Sequence, residues 1–376
     1  MNNRICIVHF QPLEYYPPAQ NIIGFLSENL SGDDIRIVST LPAPDVELFR
    51  PANPAIKIVR TGRVNKGAGR LGRLLFYVRF NLAASLLLFR FRPARVFYIE
   101  TLSAFPAFLY KLMRKGTKVL VHYHEYTSPS EYQQGMALSR WLHKLEATLY
   151  PNADWISHTN SERMRFFLED ESLHFNPVQQ HILPNYPPSS WKRNNIKQVI
   201  PGKLRIVYAG ALSIDTMYIP EMVAWTEAQN GSVAWDIYSQ QEGKELEDFL
   251  RSKKVRFVRF CGRSSYENLP DILHQYDVGV ILYKGHIPNY VYNAPNKLFE
   301  YLVCGLDVWL PKQMLGSLSY VRLNKSPRVA AIDFDQLESE LNPQLLGYQD
   351  LPSDPAEFTS ENVLTQLLPF VIEPEK

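Results

Sequence analysis

A lysine and a glutamate one helical turn apart, Lys297 and Glu300, form the clearest chemical pattern in the sequence. They lie in Asn289 to Trp309, which reads as loop, helix, turn and strand. Asn293 is the expected N-cap, and Pro295 falls in the first turn, where a missing N–H is tolerated. Leu298, Phe299, Leu302 and Val303 give the helix an apolar side. Gly305 suits a left-handed C-terminal cap, and Leu306 to Leu310 resumes as a short strand.

Lys297 sits in the first turn, where free N–H groups point outward and the helix dipole is positive. A cation there makes sense if an anion such as a diphosphate lies in front of it. Glu300, on the same face, is able to accept hydrogen bonds from two ribose hydroxyls. The alternative from spacing alone is a solvated i,i+3 ion pair on a surface helix.

A second constellation closes the strand Lys118 to Glu125. His124 and Glu125 at the carboxyl end of a parallel strand would project where open α/β sheets place ligands. Either could orient an acceptor hydroxyl or take its proton; the alternative is a strand-end histidine with a structural hydrogen bond.

These residues need an α/β framework to hold them, and the chain supplies one. At 376 residues, 45% hydrophobic and 21% charged, it is a globular chain long enough for two domains. The first strand, Arg4 to Phe10, starts almost at once, so no signal peptide is expected. The loop after it, Gln11 to Gln20, lacks the glycine turn of a nicotinamide-cofactor cradle. A helix (Asn21–Asn29) and a strand (Ile35–Ser39) follow. Further strands are expected at Val96–Glu100, Ala153–His158, Leu204–Gly210, Ala234–Tyr238, Val255–Cys261 and Asp277–Tyr283, with helices between them. Pro187 to Gly202 reads as a linker. Asp354 and Pro355 suit the start of a closing helix. Cys6, Cys261 and Cys304 make neither a zinc pattern nor a disulfide framework, which points to a reducing cytoplasm.

Charge is unevenly placed. Between Leu48 and Ile99 there is no Asp or Glu, yet the interval holds eleven Lys and Arg, among them Arg70, Arg73 and Arg79. A helix over Arg73 to Arg92 has an apolar body and basic ends. Such asymmetry points to an anionic partner, for which an anionic membrane surface or polyprenyl phosphate is the reading preferred here. The alternative is a core helix with snorkelling arginines. Nucleic acid is disfavoured, because no recognition motif is present and the pI is near 8.2. The longest apolar run, Leu82 to Phe89, is well short of the roughly 18 residues that span a bilayer, so no membrane span is expected.

Pro295 to Gly305 resembles the donor-binding signature of GT-B glycosyltransferases, particularly glycosyltransferase family 4 of bacterial surface-polysaccharide assembly. The resemblance covers the whole chain in outline and is specific at residues 204–310. It implies two Rossmann-like domains facing across a cleft: an acceptor-side domain over 1–188, a linker over 189–202 and a nucleotide-sugar domain over 203–350. A C-terminal helical segment, 351–376, would pack back on the first domain. Asn296, Lys297, Leu298 and Glu300 would hold the donor, with Glu300 on the ribose. Gly210 and Ser213 would face its phosphates, and Gly262, Arg263 and Ser264 its base. The resemblance also gives His124 and Glu125, with Lys297, catalytic roles, and puts Tyr15, Tyr16 and Glu162 on the acceptor side. His122 stands where relatives carry an Asp.

Two departures matter. Asp215, Thr216 and Met217 supply no cation after Gly210, where family members place Arg or Lys to stabilise the leaving diphosphate. Tyr292 stands where a first Glu is common. The sequence is read as having no Asp-x-Asp metal motif, so neither divalent ion nor other cofactor is expected. The implied function is transfer of a sugar from a nucleoside-diphosphate sugar to a hydroxyl of a glycan or lipid-linked acceptor. The enzyme would be cytoplasmic or peripheral on the inner membrane, and retention of configuration follows by analogy alone. The alternative is a weak or inactive GT-B module that binds nucleotide sugar or glycan and scaffolds a partner transferase. A sugar-nucleotide epimerase on the same fold is a lesser alternative.

Overall fold

The computed structural model describes residues 3–63, 67, 69–171, 176–192, 203–239, 243–341, 351–352 and 358–372. They fall into two compact units, Met1–Pro184 with Val363–Lys376, and Asn185–Asn362. Each is built on one parallel sheet.

In the first unit the strands are β1 (Ile5–His9), β2 (Ile35–Leu41), β3 (Lys57–Arg63), β4 (Arg95–Ile99), β5 (Lys118–Tyr123), β6 (Trp155–His158) and β7 (Gln180–Ile182). Their order is β3-β2-β1-β4-β5-β6-β7. The central strands β1 and β4 are buried at every position, as expected of a parallel sheet covered by helices on both faces. The winding reverses between β1 and β4, which opens a crevice at their carboxyl ends.

The second unit has β8 (Leu204–Ala209), β9 (Val233–Tyr238), β10 (Val258–Gly262), β11 (Val278–Val280), β12 (Asp307–Pro311) and β13 (Val329–Ile332). Their order is β10-β9-β8-β11-β12-β13, and the reversal falls between β8 and β11. The fold is therefore the expected α/β pair of Rossmann-like units. The chain also returns to the first unit, but from Val363 and not from residue 351 as expected: Phe358 still packs on Phe299 of the second unit. Leu364, Leu367 and Val371 enter the core formed by Ile5, Ile7 and Ile35, and Arg95 Nε donates to the Phe370 carbonyl at 2.9 Å.

Several boundaries differ from the sequence reading. The first long helix starts at Pro17, not Asn21, because prolines fit the opening turn. The edge strand β3 went unread; its alternation is broken by Arg60 and Arg63. Residues 185–188 group with the second unit, where Trp191 packs beside Leu298 and Phe299. Residues 193–202 of the expected linker, and Asp354 with Pro355, lie outside the described residues.

The basic helix runs from Arg70 to Phe91 and is apolar on two sides. Tyr77, Phe80, Ala84 and Leu88 face the core, whereas Leu71, Leu74, Leu75, Val78, Leu82 and Leu86 are exposed. Its 22 residues are long and apolar enough by composition to cross a membrane. This corrects the reading of Leu82 to Phe89, which stopped at the arginines. Its inward side nonetheless packs as part of the first unit.

The Lys297 helix spans Asn296–Val303. Its N-cap is Pro295, not Asn293. Its end is as read: Gly305 has φ 79°, its N–H donates to Leu302 and that of Leu306 to Tyr301, the paired bonds of a Schellman cap. Tyr301 ties the helix to β8, its hydroxyl oxygen accepting the Ala209 N–H at 3.0 Å. Tyr301→Phe leaves that buried N–H unpaired and is expected to destabilise the second unit by about 1–3 kcal/mol. Urea unfolding checks this, and an unchanged midpoint would contradict it.

Candidate functional site

In the second unit, β8 runs into Gly210, β11 leads on to Tyr283, and the helix carrying Lys297 starts in front of both. Lys297 and Glu300 are only 8% and 6% exposed, which removes the solvated ion-pair alternative. No ion pair joins them within 4.0 Å. Lys297 Nζ instead donates to the Tyr283 hydroxyl at 2.9 Å. It also lies 5.1 Å from the Tyr208 ring centre and 4.9 Å from that of Tyr283, so the ammonium sits in an aromatic box. A Cβ at Gly210 would lie 2.8 Å from Nζ, so the ammonium comes close to the main chain there.

Glu300 lies one turn deeper. Burial pushes its carboxyl up to about 7, against a smaller opposing pull from Lys297. Among the described residues no hydrogen-bond donor reaches it. A buried acceptor without a donor is chemically suited to ligand hydroxyls.

The remaining donor-side candidates cluster around this point. The carbonyl of Tyr238 accepts the Gly210 N–H and that of Gly262 accepts the Ser239 N–H, so the ends of β8, β9 and β10 share one edge. Gly262 has φ 79°; Arg263 is exposed and Ser264 half-buried. Ser213 is used locally, its hydroxyl accepting the Thr216 N–H at 3.3 Å. Tyr292 caps the short helix Pro288–Val291. Asn296 opens the Lys297 helix, and Leu298 is fully buried in its core. Tyr208 and Tyr283 were missed by sequence reasoning, although aromatic residues at the ends of two adjacent apolar strands were the available signal.

The triplet Asp333-Phe334-Asp335 has the Asp-x-Asp spacing that the sequence reading passed over. Its carboxylates are used locally. Asp333 Oδ1 accepts the Asp335 N–H at 3.1 Å, and Asp335 Oδ2 accepts the Tyr218 hydroxyl at 3.4 Å. Among the described residues no group of three His, Cys, Asp or Glu is placed to hold a metal ion.

In the first unit, His124 and Glu125 lie just beyond β5. His124 is buried and stacks on Tyr16 at 5.6 Å, with His122 edge-on at 4.7 Å and His9 at 6.3 Å. Its carbonyl accepts from Arg163 at 2.6 Å. Glu125 is exposed. Burial, and then Glu100 and Glu125, raise the Tyr16 hydroxyl well above its usual range. The structure thus brings Tyr16 to His124. Tyr15 points away, exposed, its oxygen accepting the Ala43 N–H at 2.9 Å. Glu162 accepts from its neighbour Ser161 at 3.1 Å.

Sequence reasoning also missed His9 and Glu100. His9 ends β1 fully buried, and among the described residues neither ring nitrogen has a hydrogen-bond partner. Burial, then His124 and Arg60, drive its pKa well below the usual value, so the ring is neutral. Glu100 follows β4 and accepts the N–H groups of His124 and Glu125.

No protein-family profile and no curated protein matches the sequence. Solved structures match the fold at low identity. Sucrose-phosphate synthase from Thermosynechococcus elongatus is 14% identical at a TM-score of 0.64, covering 96% of this chain and 93% of its own. The lipopolysaccharide outer core galactosyltransferase WaaB is 11% identical at 0.60, covering 97% and 98%. A third, UDP-GlcNAc 2-epimerase from Neisseria meningitidis bound to UDP-GlcNAc, is 10% identical at 0.58, covering 98% and 99%. The fold is that of the GT-B proteins.

Because Glu300 titrates near 7 when folded and near 4.5 when free, the folded state holds its proton more tightly. The associated stability is complete below about pH 4.5 and lost as pH rises through about 7. Glu300→Gln is therefore expected to be more stable than wild type at pH 8, by up to about 3 kcal/mol. The gain should vanish near pH 4.5. Thermal denaturation at both pH values checks the sign.

Proposed function

We propose that the protein is a glycosyltransferase, moving a sugar from a nucleoside-diphosphate sugar to a hydroxyl of a glycan or lipid-linked acceptor. One observation carries the reading: Lys297 and Glu300 are buried, unpaired with each other, at the winding reversal of the second sheet. That is where open α/β sheets bind ligands. The donor's diphosphate would lie against Gly210 and the first turn of the Lys297 helix. Lys297 would offset the charge that builds on the departing diphosphate. Glu300 would accept the two ribose hydroxyls, and Gly262, Arg263 and Ser264 would lie by the base. Tyr292, Asn296 and Leu298 complete the donor side.

His124 and Glu125 are proposed to orient and deprotonate the acceptor hydroxyl, with Tyr16 lining that approach and Tyr15 and Glu162 further out. Transfer would proceed with retention and without a divalent ion. Retention rests on analogy alone, and metal independence is part of the proposal, with Asp333 and Asp335 engaged in local hydrogen bonds. The fold neighbours include both transferases and epimerases, so the shared part of the reading is handling of a nucleotide sugar. Asp215 and Tyr292, at positions where related transferases carry a cation and a carboxylate, favour the second reading of a weak or non-catalytic module.

The partner surface proposed is an anionic membrane at the cytoplasmic face. The exposed leucines of the Arg70–Phe91 helix lie among Arg70, Arg73 and Arg79, a combination suited to insertion at a lipid interface.

Two measurements test these readings. In a titration without metal against UDP, GDP, ADP and CMP, one base is expected to bind, and Glu300→Ala should weaken it by about 1–3 kcal/mol. Failure of every nucleotide to bind would overturn the donor site. Wild-type protein is expected to sediment with liposomes containing anionic lipid, and a triple Arg70→Glu, Arg73→Glu, Arg79→Glu variant to remain in solution. Wild type that never pellets would remove the membrane surface.

A further inference from the structure

Among the described non-glycine residues, Glu100 holds the most unusual backbone conformation. Its φ of 64° and ψ of 153° fall in a region essentially reserved for glycine. Arg92 and Lys254 also have positive φ, but with ψ of 56° and 42° they are ordinary left-handed helix caps. A non-glycine residue persists in such a conformation only where its surroundings fix it, and such residues gather at functional sites. Glu100 lies at the carboxyl end of β4, on the crevice where the first sheet reverses its winding.

The bonds it makes show what fixes it. Its N–H donates to the His122 carbonyl at 3.0 Å and its own carbonyl accepts the Ser103 N–H at 2.9 Å. Its side chain then reaches across to the next strand end. Oε1 accepts the His124 N–H at 2.7 Å and the Glu125 N–H at 3.3 Å. One carboxyl group therefore bridges two successive amides of the turn that carries both acceptor-side candidates. Burial, and after it Glu125, raises this carboxyl to about 8. Tyr16, Glu125, Tyr132, Glu146 and Arg163 are the ionisable groups that feel or shift its charge.

We propose that Glu100 is a positioning residue of the acceptor side, its carboxyl group clamping the His124–Glu125 turn at the winding reversal of the first sheet. The strained backbone is retained because glycine, which would relax it, has no side chain to reach those amides. The proposal rests on the reading that His124 and Glu125 serve the acceptor.

The test compares Glu100→Gly with Glu100→Gln in the full chain. Glycine fits the backbone and lacks the clamp; glutamine keeps one acceptor oxygen at the same reach. In Glu100→Gly, amide exchange at residues 124 and 125 is expected to rise at least tenfold. Its kcat for sugar transfer should fall at least tenfold, with the nucleotide-sugar KM within twofold of wild type. Glu100→Gln is expected to restore both readouts to within threefold. Should the glycine variant not fold, Glu100→Asn replaces it, since it carries the same backbone strain as the wild-type residue but is one methylene short of the amides. Unchanged exchange and full kcat in the glycine variant would overturn the proposal. So would a glutamine variant with slow exchange but the glycine variant's kcat, because ionisation of the carboxyl would then matter instead of its reach. Wild type that transfers no sugar would overturn the transferase reading alone, and the exchange comparison would still decide the role of Glu100.

Discussion

Burial of charge on one short helix is the constraint on which the second unit depends. Lys297 and Glu300 occupy an eight-residue helix whose side chains from Lys297 to Val303 are all buried. Removing ions from water is expensive, and a close pair within the protein is the usual remedy. Here the two charges do not meet. Lys297 turns to the faces of Tyr208 and Tyr283, and Glu300 moves its titration towards neutrality. The helix itself is held by apolar contacts on every other side and by the Tyr301 bond to β8. The packing is thus strong enough to keep two poorly satisfied charges in place, the arrangement expected of a preformed ligand site and not of a stability device.

The first unit applies a different form of the same principle. Its strain is in the backbone, at Glu100, and in neutral buried histidines such as His9. His9, Tyr16, His122 and His124 lie ring against ring around the carboxyl ends of β1 and β5. A core built for stability alone would fill this space with aliphatic side chains. Imidazoles whose nitrogens lack partners among the described residues, as in His9, are costly unless a hydroxyl or water takes up the unused bonds.

Much of this was legible in the sequence, for identifiable reasons. Alternating apolar strands and helices gave the two parallel sheets, because each strand is a continuous apolar run bounded by polar turns. Lys297, Glu300 and Gly305 were legible because helix spacing and cap chemistry act locally. His124 was legible from its place at the end of an apolar strand. Glu100 and His9 were not, because their importance arises from which strands become neighbours: β4 lies between β1 and β5, a fact of topology and not of spacing. The aromatic box is similar, since Tyr208 and Tyr283 are far apart in sequence and meet at Lys297 only once β8 and β11 pair. Asn293 was misread as a cap because a good capping residue two positions before Pro295 outweighed the proline, whose own φ starts the helix without a side-chain bond.

The aromatic box also bears on how a diphosphate would be received. A cation held over two ring faces is partly desolvated and, among the described residues, has one hydrogen bond, to Tyr283. An ammonium has three donors, so two remain to meet phosphate oxygens without breaking the bond already made. The rings fix the position of the charge before any ligand arrives, which lowers the rotamer entropy lost on binding. They also explain why a single lysine could suffice where Asp215, Thr216 and Met217 bring no second cation. A charge that is already oriented and shielded from water acts more strongly on a developing anion than a mobile solvated one. The close approach at Gly210 places that charge against the main-chain turn after β8. The glycine, the two tyrosines and the lysine therefore form one preorganised unit, and on the proposed reading changing any of them would alter the field in which a diphosphate would leave.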